Sequence, residues 1–413
     1  MRKRNLPNPL KDDFGKERPV IRILSDRGIK QAVQEGFLIL NPQLNLDNPG
    51  NRLQPATLDL KISKVDSYYN PGTALGNVCG DLTLRAGQVS WISFVDDINF
   101  SVKNGMTPQG SFFFDKFLDG RSSLLRLGGV VCGNPDPSVL LGLETTIFHY
   151  TPNDLHFDSN ERIAQAFISV MPFAETYLVP FNVGDKPPYT KQGEKVRALD
   201  MGVQAENTVQ LRALEEAGLM KIERTNGKKF DAWNGIVLLH AKNAFRMKKI
   251  EGGIRFSERA KYSHGDLFEN VDIRNKYDIK EGEHLVLEVE ESFDLSDKVG
   301  ISVFNNVIGR NVPGAPELRG FAPPNLTSGD EMFRQGQVNL SLINKRNSWI
   351  DPGYTGMMTA FPKLLGKSVH KGDIVGYGQV FYFPKGVERP YGFKELSSQY
   401  QKQEEFRVAA KTN

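Results

Sequence analysis

The chain is poor in the residues that make disulfide frameworks and metal clusters. It has two cysteines, Cys79 and Cys132, and six histidines in 413 residues. Two thiols give neither a disulfide scaffold nor a metal cluster, and a reducing, cytoplasmic setting is expected. Charge of one sign is also scarce. The net charge is only +3, so no whole-chain field favours nucleic acid or a membrane surface as a partner. No apolar run approaches the roughly eighteen residues of a membrane span. The basic start, Met1 to Asn5, leads into Pro7 and Pro9 rather than an apolar stretch, so it does not read as a secretory signal. No Walker loop, nucleophile elbow or Rossmann glycine pattern stands out.

What is present is 39% apolar residues, 26 Phe, 39 Gly and 23 Pro. That mixture predicts an all-β protein of short strands and turns, with cores large enough for two domains. Residues 1–20 are polar and broken by proline, and read as an arm. Ser25 is placed to cap a short helix with Ile29, Ala32, Val33 and Phe37 on one face. Strand-like runs follow at 56–62, 88–94, 111–114, 139–148 and 163–170. Residues 184–204, rich in Pro, Gly and Lys in their first part, read as a linker. The pattern then restarts. Leu211 to Leu219 echoes Ile29 to Phe37, each a short helix ended by a glycine. Gly235 to Ala241 stands where Pro55 to Ile62 stood, and 374–383 matches 162–170. Two diverged copies of one β-rich domain are therefore expected at 21–183 and 205–395, with a tail or lid at 396–413.

Four segments carry a resemblance. They are Leu24-Ser25-Asp26-Arg27 with Leu53-Gln54-Pro55-Ala56-Thr57-Leu58-Asp59-Leu60; Asp119-Gly120-Arg121-Ser122-Ser123-Leu124-Leu125-Arg126; Trp349-Ile350-Asp351-Pro352-Gly353-Tyr354; and Glu388-Arg389-Pro390-Tyr391-Gly392 with Gln399-Tyr400-Gln401-Lys402-Gln403. In this order they resemble the start, phosphate loop, sugar-and-water loop and closing tail of dCTP deaminases, relatives of the trimeric dUTPases. The resemblance implies two tandem dUTPase-like distorted β-barrels with short helices. It implies pyrimidine deoxynucleoside triphosphates, dCTP or dUTP, as ligands, with dTTP as a conceivable regulator. Mg²⁺ would ride on the triphosphate, no zinc would take part, and a homo-oligomer, trimer or dimer, would be the working form.

The chemistry of the segments agrees. A triphosphate needs fixed donors, and Arg121, Ser122, Ser123 and Arg126 supply guanidinium forks and hydroxyls, with Gly120 allowing close backbone approach. The bland counterpart is a basic surface turn. The Asp351-Pro352-Gly353 turn fixes a carboxylate, and Tyr354 offers a flat face to a deoxyribose, although a core position beside the turn is the commoner fate of such a tyrosine. Tyr391, Tyr400 and Gln403 belong to a polar stretch that reads as a lid or as a disordered tail. The motifs are divided between the copies. The first has Asp59 and the Gly-Arg-Ser-Ser loop, where the second has Leu238 and Ile308 to Pro313. The second has Asp-Pro-Gly-Tyr, where the first has Asp136-Pro137-Ser138-Val139. One composite site is expected, with the loop from the first half and the turn and tail from the second.

The pattern departs from the family in its general base. The family Glu, ten residues after the Asp of Asp-Pro-Gly, falls here on Thr146 or Phe361, neither of which shuttles a proton at neutral pH. Glu144 lies two residues before Thr146, on the same strand face if the run is extended. Gln399 also stands where the family has a lysine. The first reading is dCTP deamination to dUTP and ammonia, with Ser122 and Arg126 positioning water and Glu144 as base. The alternatives are a nucleotide-binding or structural protein without turnover, and a triphosphate hydrolase in which Asp351 orients water.

Overall fold

The computed structural model describes residues 22–50, 52–67, 82–101, 104–107, 110–131, 144–149, 151–159, 161–173, 195–196, 198–225, 227–233, 235–279, 283, 285–305, 346–360, 368–394, 396 and 402. Strand β1 (Arg22–Leu24) leads into helix α1 (Asp26–Gln34) and strand β2 (Leu38–Asn41). Strands β3 (Leu58–Ser67), β4 (Gln88–Phe94) and β5 (Gly110–Gly120) precede helix α2 (Ser122–Arg126). Strands β6 (Glu144–His149) and β7 (Arg162–Phe173) complete the first half.

The second half opens in the same way, with a strand and then a helix. Strand β8 (Met201–Gln204) is followed by helix α3 (Thr208–Glu216), β9 (Met220–Arg224) and β10 (Ile236–Met247). Then come β11 (Leu285–Leu295), β12 (Val299–Asn305), β13 (Arg346–Ile350), β14 (Thr355–Ala360) and β15 (Ile374–Tyr382). The fold is all-β with short helices, as the composition predicts. No helix among the described residues is long and apolar enough to cross a membrane.

The local chemistry of the two main helices is parallel. The Ser25 hydroxyl accepts from Gly28 N–H and the Asn207 side chain from Gln210 N–H, each satisfying a first-turn donor. Both helices end before glycines, Gly36 and Gly218, at positive φ, where a Cβ would be strained. The long strands of the two halves also pair in matching ways. β7 pairs antiparallel with β3 and β5, and β15 pairs antiparallel with β10 and β12. Each inner pair carries a register shift, between Arg162 and Ala164 in one and between Leu239 and His240 in the other. Near each shift a backbone N–H turns to a buried carboxylate: Lys61 N donates to Asp96 Oδ2 at 2.7 Å, and His240 N to Glu291 Oε2 at 2.9 Å. A buried donor left over by an irregular ladder needs such a partner.

The halves are joined by hydrogen bonds as well as by packing. β1 lies between β7 of the first half and β8, and β8 pairs on with β15 of the second. A continuous sheet therefore crosses the junction. Two large cores flank it, and their membership does not follow sequence order. The first contains Phe245, Met247, Ile254, Phe256, Leu267 and Phe268 alongside residues of the first half. That arm is pinned by Asn153, whose amide donates to Lys248 O at 2.7 Å and whose Oδ1 accepts from Ile250 N at 2.6 Å. A third, smaller cluster sits at the junction itself and includes Ile23, Phe167, Trp349, Phe381 and Phe383.

Candidate functional site

The first half contributes a row of buried polar side chains. Across the ladder, Asp59 on β3 faces Gln165 on β7, and Gln165 faces Asp119 at the end of β5. Asp59 and Asp119 are each 1% exposed. Thr57 Oγ1 donates to Gln165 Oε1 at 3.5 Å, and Gln54 Nε2 to Asp59 Oδ2 at 3.3 Å. Beyond β5 the chain turns at Arg121, whose Nη1 lies 3.1 Å from Asp59 Oδ2. Burial raises the Asp59 carboxyl from its ordinary value, against the pull of Arg121 and Arg162. Asp59 Oδ1 has no hydrogen-bond partner among the described residues.

Helix α2 places Ser122 partly in solvent and buries Ser123 and Arg126. Gly120 is buried, and a Cβ built there would make only ordinary contacts with Leu125 and Val131. The protein's own backbone thus does not demand a glycine at this place.

The second half contributes the turn after β13. Tyr354 N–H donates to Asp351 O at 3.1 Å, closing Asp-Pro-Gly-Tyr as a tight turn. Tyr354 is 8% exposed and belongs to the second core, its ring edge-on to Tyr391 at 5.5 Å. Tyr391 N–H is held by Pro352 O at 2.7 Å. Trp349 sends its indole N–H to Asp351 Oδ1 at 2.9 Å.

These two sets meet. Helix α2 and strand β5 both pack against β13, and the Trp349 ring lies 5.2 Å from that of Phe167 on β7. Asp351 keeps some solvent contact, but burial, the nearby carboxylates of Asp59 and Asp26, and only partial help from Trp349 and Arg121 push its carboxyl up to about 7. The structure therefore brings Asp59, Arg121 and Asp351 from opposite halves into one electrostatic neighbourhood.

A strap from the second half closes over the same region. Asp26, at the start of α1, accepts from Glu388 N at 2.9 Å and Arg389 N at 2.7 Å. Arg389, 4% exposed, donates to Gly50 O at 2.7 Å and Leu53 O at 3.1 Å. Lys30 pairs with Glu388 at 2.8 Å. Burial raises the Asp26 carboxyl, with the three backbone donors of Arg27, Glu388 and Arg389 opposing it.

Several expectations fall elsewhere. Tyr400, Gln403, Gln399, Phe361, Asp136 and Ile308 to Pro313 lie outside the described residues. Glu144 opens β6 opposite Ser93, and Thr146 stands opposite Trp91, but their side chains lie outside what is described. His149 is a core residue: burial lowers its pKa to about 4, and its Nε2 meets Thr151 Oγ1 at 3.0 Å. No group of three or more His, Cys, Asp or Glu among the described residues is arranged to hold a metal ion.

Sequence reasoning had Asp26, Trp349 and Arg389 within its motifs but gave them no role at the site, and it missed Gln165. Trp349 was legible in principle, since residues two apart on a strand share a face and it stands two before Asp351. The role of Asp26 was not, because its partners lie more than three hundred and sixty positions away.

No protein-family model matches the chain, and no curated protein matches it. Solved structures do. The crystal structure of a 2′-deoxycytidine 5′-triphosphate deaminase from Agrobacterium tumefaciens is similar with a TM-score of 0.53 and 14% sequence identity, over 88% of this chain and 99% of that one. The chain thus has a dCTP deaminase-like, dUTPase-like fold.

Proposed function

We propose that the seam between the two halves binds a pyrimidine deoxynucleoside triphosphate and deaminates dCTP to dUTP and ammonia. The observation that carries this reading is the meeting of Arg121 and Asp59 with Asp351 across the seam, with the Asp351 carboxyl pushed up to about 7. A group poised near neutrality can take a proton from water and return one to a leaving amine. Asp59 adds support, because its buried Oδ1 lacks a partner that a ligand or its water would supply. The solved structure of similar fold, a dCTP deaminase, points the same way.

In this reading Arg121, Ser122, Ser123 and Arg126 hold the phosphates. The same Ser122 and Arg126 flank the attacking water, whose oxygen adds to the ring carbon that loses ammonia. Asp351, or Glu144 from β6, handles the proton. Tyr354 and Tyr391 wall the sugar, and Tyr400 and Gln403 are further nucleotide-binding residues in this reading. Mg²⁺ would be held by the triphosphate oxygens rather than by a protein cage. The two halves are read as diverged copies of one domain, with the intact parts of two ancestral sites combined into one. A homo-oligomer is the expected form, and dTTP is a candidate regulator.

A second reading, nucleotide binding without turnover, is favoured by one sequence fact. Thr146 and Phe361 stand at the positions where the resemblance to dCTP deaminases implies a glutamate. Incubation of the pure protein with dCTP, dUTP and Mg²⁺ separates the readings. Ammonia from dCTP supports deamination. Pyrophosphate release establishes hydrolysis instead, and binding without product establishes the second reading.

A further inference from the structure

The proposed site leans on a side chain to which it assigns no chemistry. Trp349 is 7% exposed, and its ring is held edge-on by Phe167 at 5.2 Å and tilted by Phe381 at 5.7 Å. Its third wall is Gly300: a Cβ there would stand 2.6 Å from Trp349 Cζ2, so a larger residue would displace the ring. A ring fixed on three sides delivers its N–H in one direction, and that direction is Asp351 Oδ1, 2.9 Å away.

We propose that Trp349 is a positioning residue for Asp351: its indole N–H holds Oδ1 as a committed acceptor and leaves Oδ2 as the oxygen that takes up and releases the proton and meets the nucleotide. An indole N–H is a donor only. A carboxyl's carbonyl oxygen is a better acceptor than its hydroxyl oxygen, so the indole donor favours the protonated form of Asp351 that carries its proton on Oδ2. The arrangement also ties the carboxyl to the junction, because Phe167, the residue that braces the ring, belongs to β7 of the first half. If the halves part, the brace is lost and the carboxyl loses its orientation.

The charged groups that act on Asp351 are Asp59 on β3, Arg121 at the start of α2 and Asp26 on α1, and β5, packed on the strand before Asp351, carries the buried Asp119. Two of them, Asp59 and Asp26, oppose ionisation of Asp351, and Arg121 favours it. The Trp349 donor works in the same direction as Arg121, since a hydrogen bond to the charged form stabilises it.

The part concerning nucleotide rests on the function proposed above, whereas the anchoring concerns the protein alone. The two are tested separately on the full chain. The indole ¹H–¹⁵N resonance absent from Trp349→Phe is assigned to Trp349 and followed with pH. It is expected to move with a midpoint near 7 in the native protein and to stay flat in Asp351→Asn. The pH dependence of dCTP affinity is then compared in the native protein and Trp349→Phe. Its midpoint is expected to rise by about one pH unit when the donor is removed. A Trp349 resonance that does not move between about pH 5 and pH 9, or identical affinity midpoints in the two proteins, overturns the assignment. Should the native protein bind no dCTP at any pH, the nucleotide reading fails, and the indole titration alone decides for or against the anchoring.

Discussion

At the residue scale the seam stores unfavourable charge. Burial raises the carboxyls of Asp26, Asp59 and Asp351 together. For Asp351 the consequence has a definite sign. The folded carboxyl titrates at about 7 and the unfolded one near the ordinary 3.8, so between these values the folded protein holds a proton the unfolded chain has released. The stability from this proton is full below pH 3.8 and is lost as pH rises through about 7. Asp351→Asn removes that dependence. The variant is expected to be more stable than the native protein at about pH 8, by roughly 2 kcal/mol, less than the roughly 4 kcal/mol of the full shift because the residue keeps some water contact. Urea unfolding of both proteins at acid and alkaline pH measures this. Equal differences at the two pH values would contradict it. The presence of Asp59, Arg121 and Asp351 in the motifs was readable in the sequence. Their energetic coupling was not, because it depends on burial and on contacts between strands nearly three hundred residues apart.

At the element scale, what could be read ahead of the structure was what local chemistry decides. The Ser25 cap and the glycines ending α1 and α3 act within one helical turn, and they are where the spacing placed them. The long strands followed from alternation and from β-branched and aromatic content. Two features lay beyond such reading. One is the 245–268 arm that fills the first core, and the other is the strap at Asp26. Both use ordinary residues made important by distant partners. A third device, the carboxylates at the two register shifts, carries its own test. Asp96 also pairs with Arg52 at 3.0 Å, and Glu291 with His240 Nδ1 at 2.7 Å. Removing either acid leaves a backbone N–H, half-buried at Lys61 and buried at His240, and the paired arginine or imidazole without that acceptor. Asp96→Ala and Glu291→Ala are each expected to cost about 3 kcal/mol, read as a lowered denaturation midpoint. A change below about 0.5 kcal/mol in either would mean the carboxylate is dispensable there.

At the scale of the whole molecule, sequence order and structural unit diverge. The sequence divides near the linker, but β1 and β8 carry the sheet across that division, and the first core takes six of its large apolar side chains from the 245–268 arm. Removing them would expose several hundred Å² of apolar surface, at about 25 cal/mol per Å². Residues 21–183 expressed alone are therefore expected not to fold cooperatively, while the full chain unfolds in one transition. Calorimetry and amide dispersion of the fragment check this, and a fragment with native-like dispersion would show that the arm is decorative.

The same junction is where function is proposed, so the most direct test asks whether one ligand feels both halves. The dCTP affinity of the native protein, Arg126→Ala and Asp351→Asn is measured by isothermal titration at fixed salt and neutral pH. One residue comes from each half, and each substitution is expected to weaken binding by roughly tenfold or more, equivalent to about 1.4 kcal/mol. Native affinity retained by either variant, or no binding by the native protein, contradicts a nucleotide site shared across the seam.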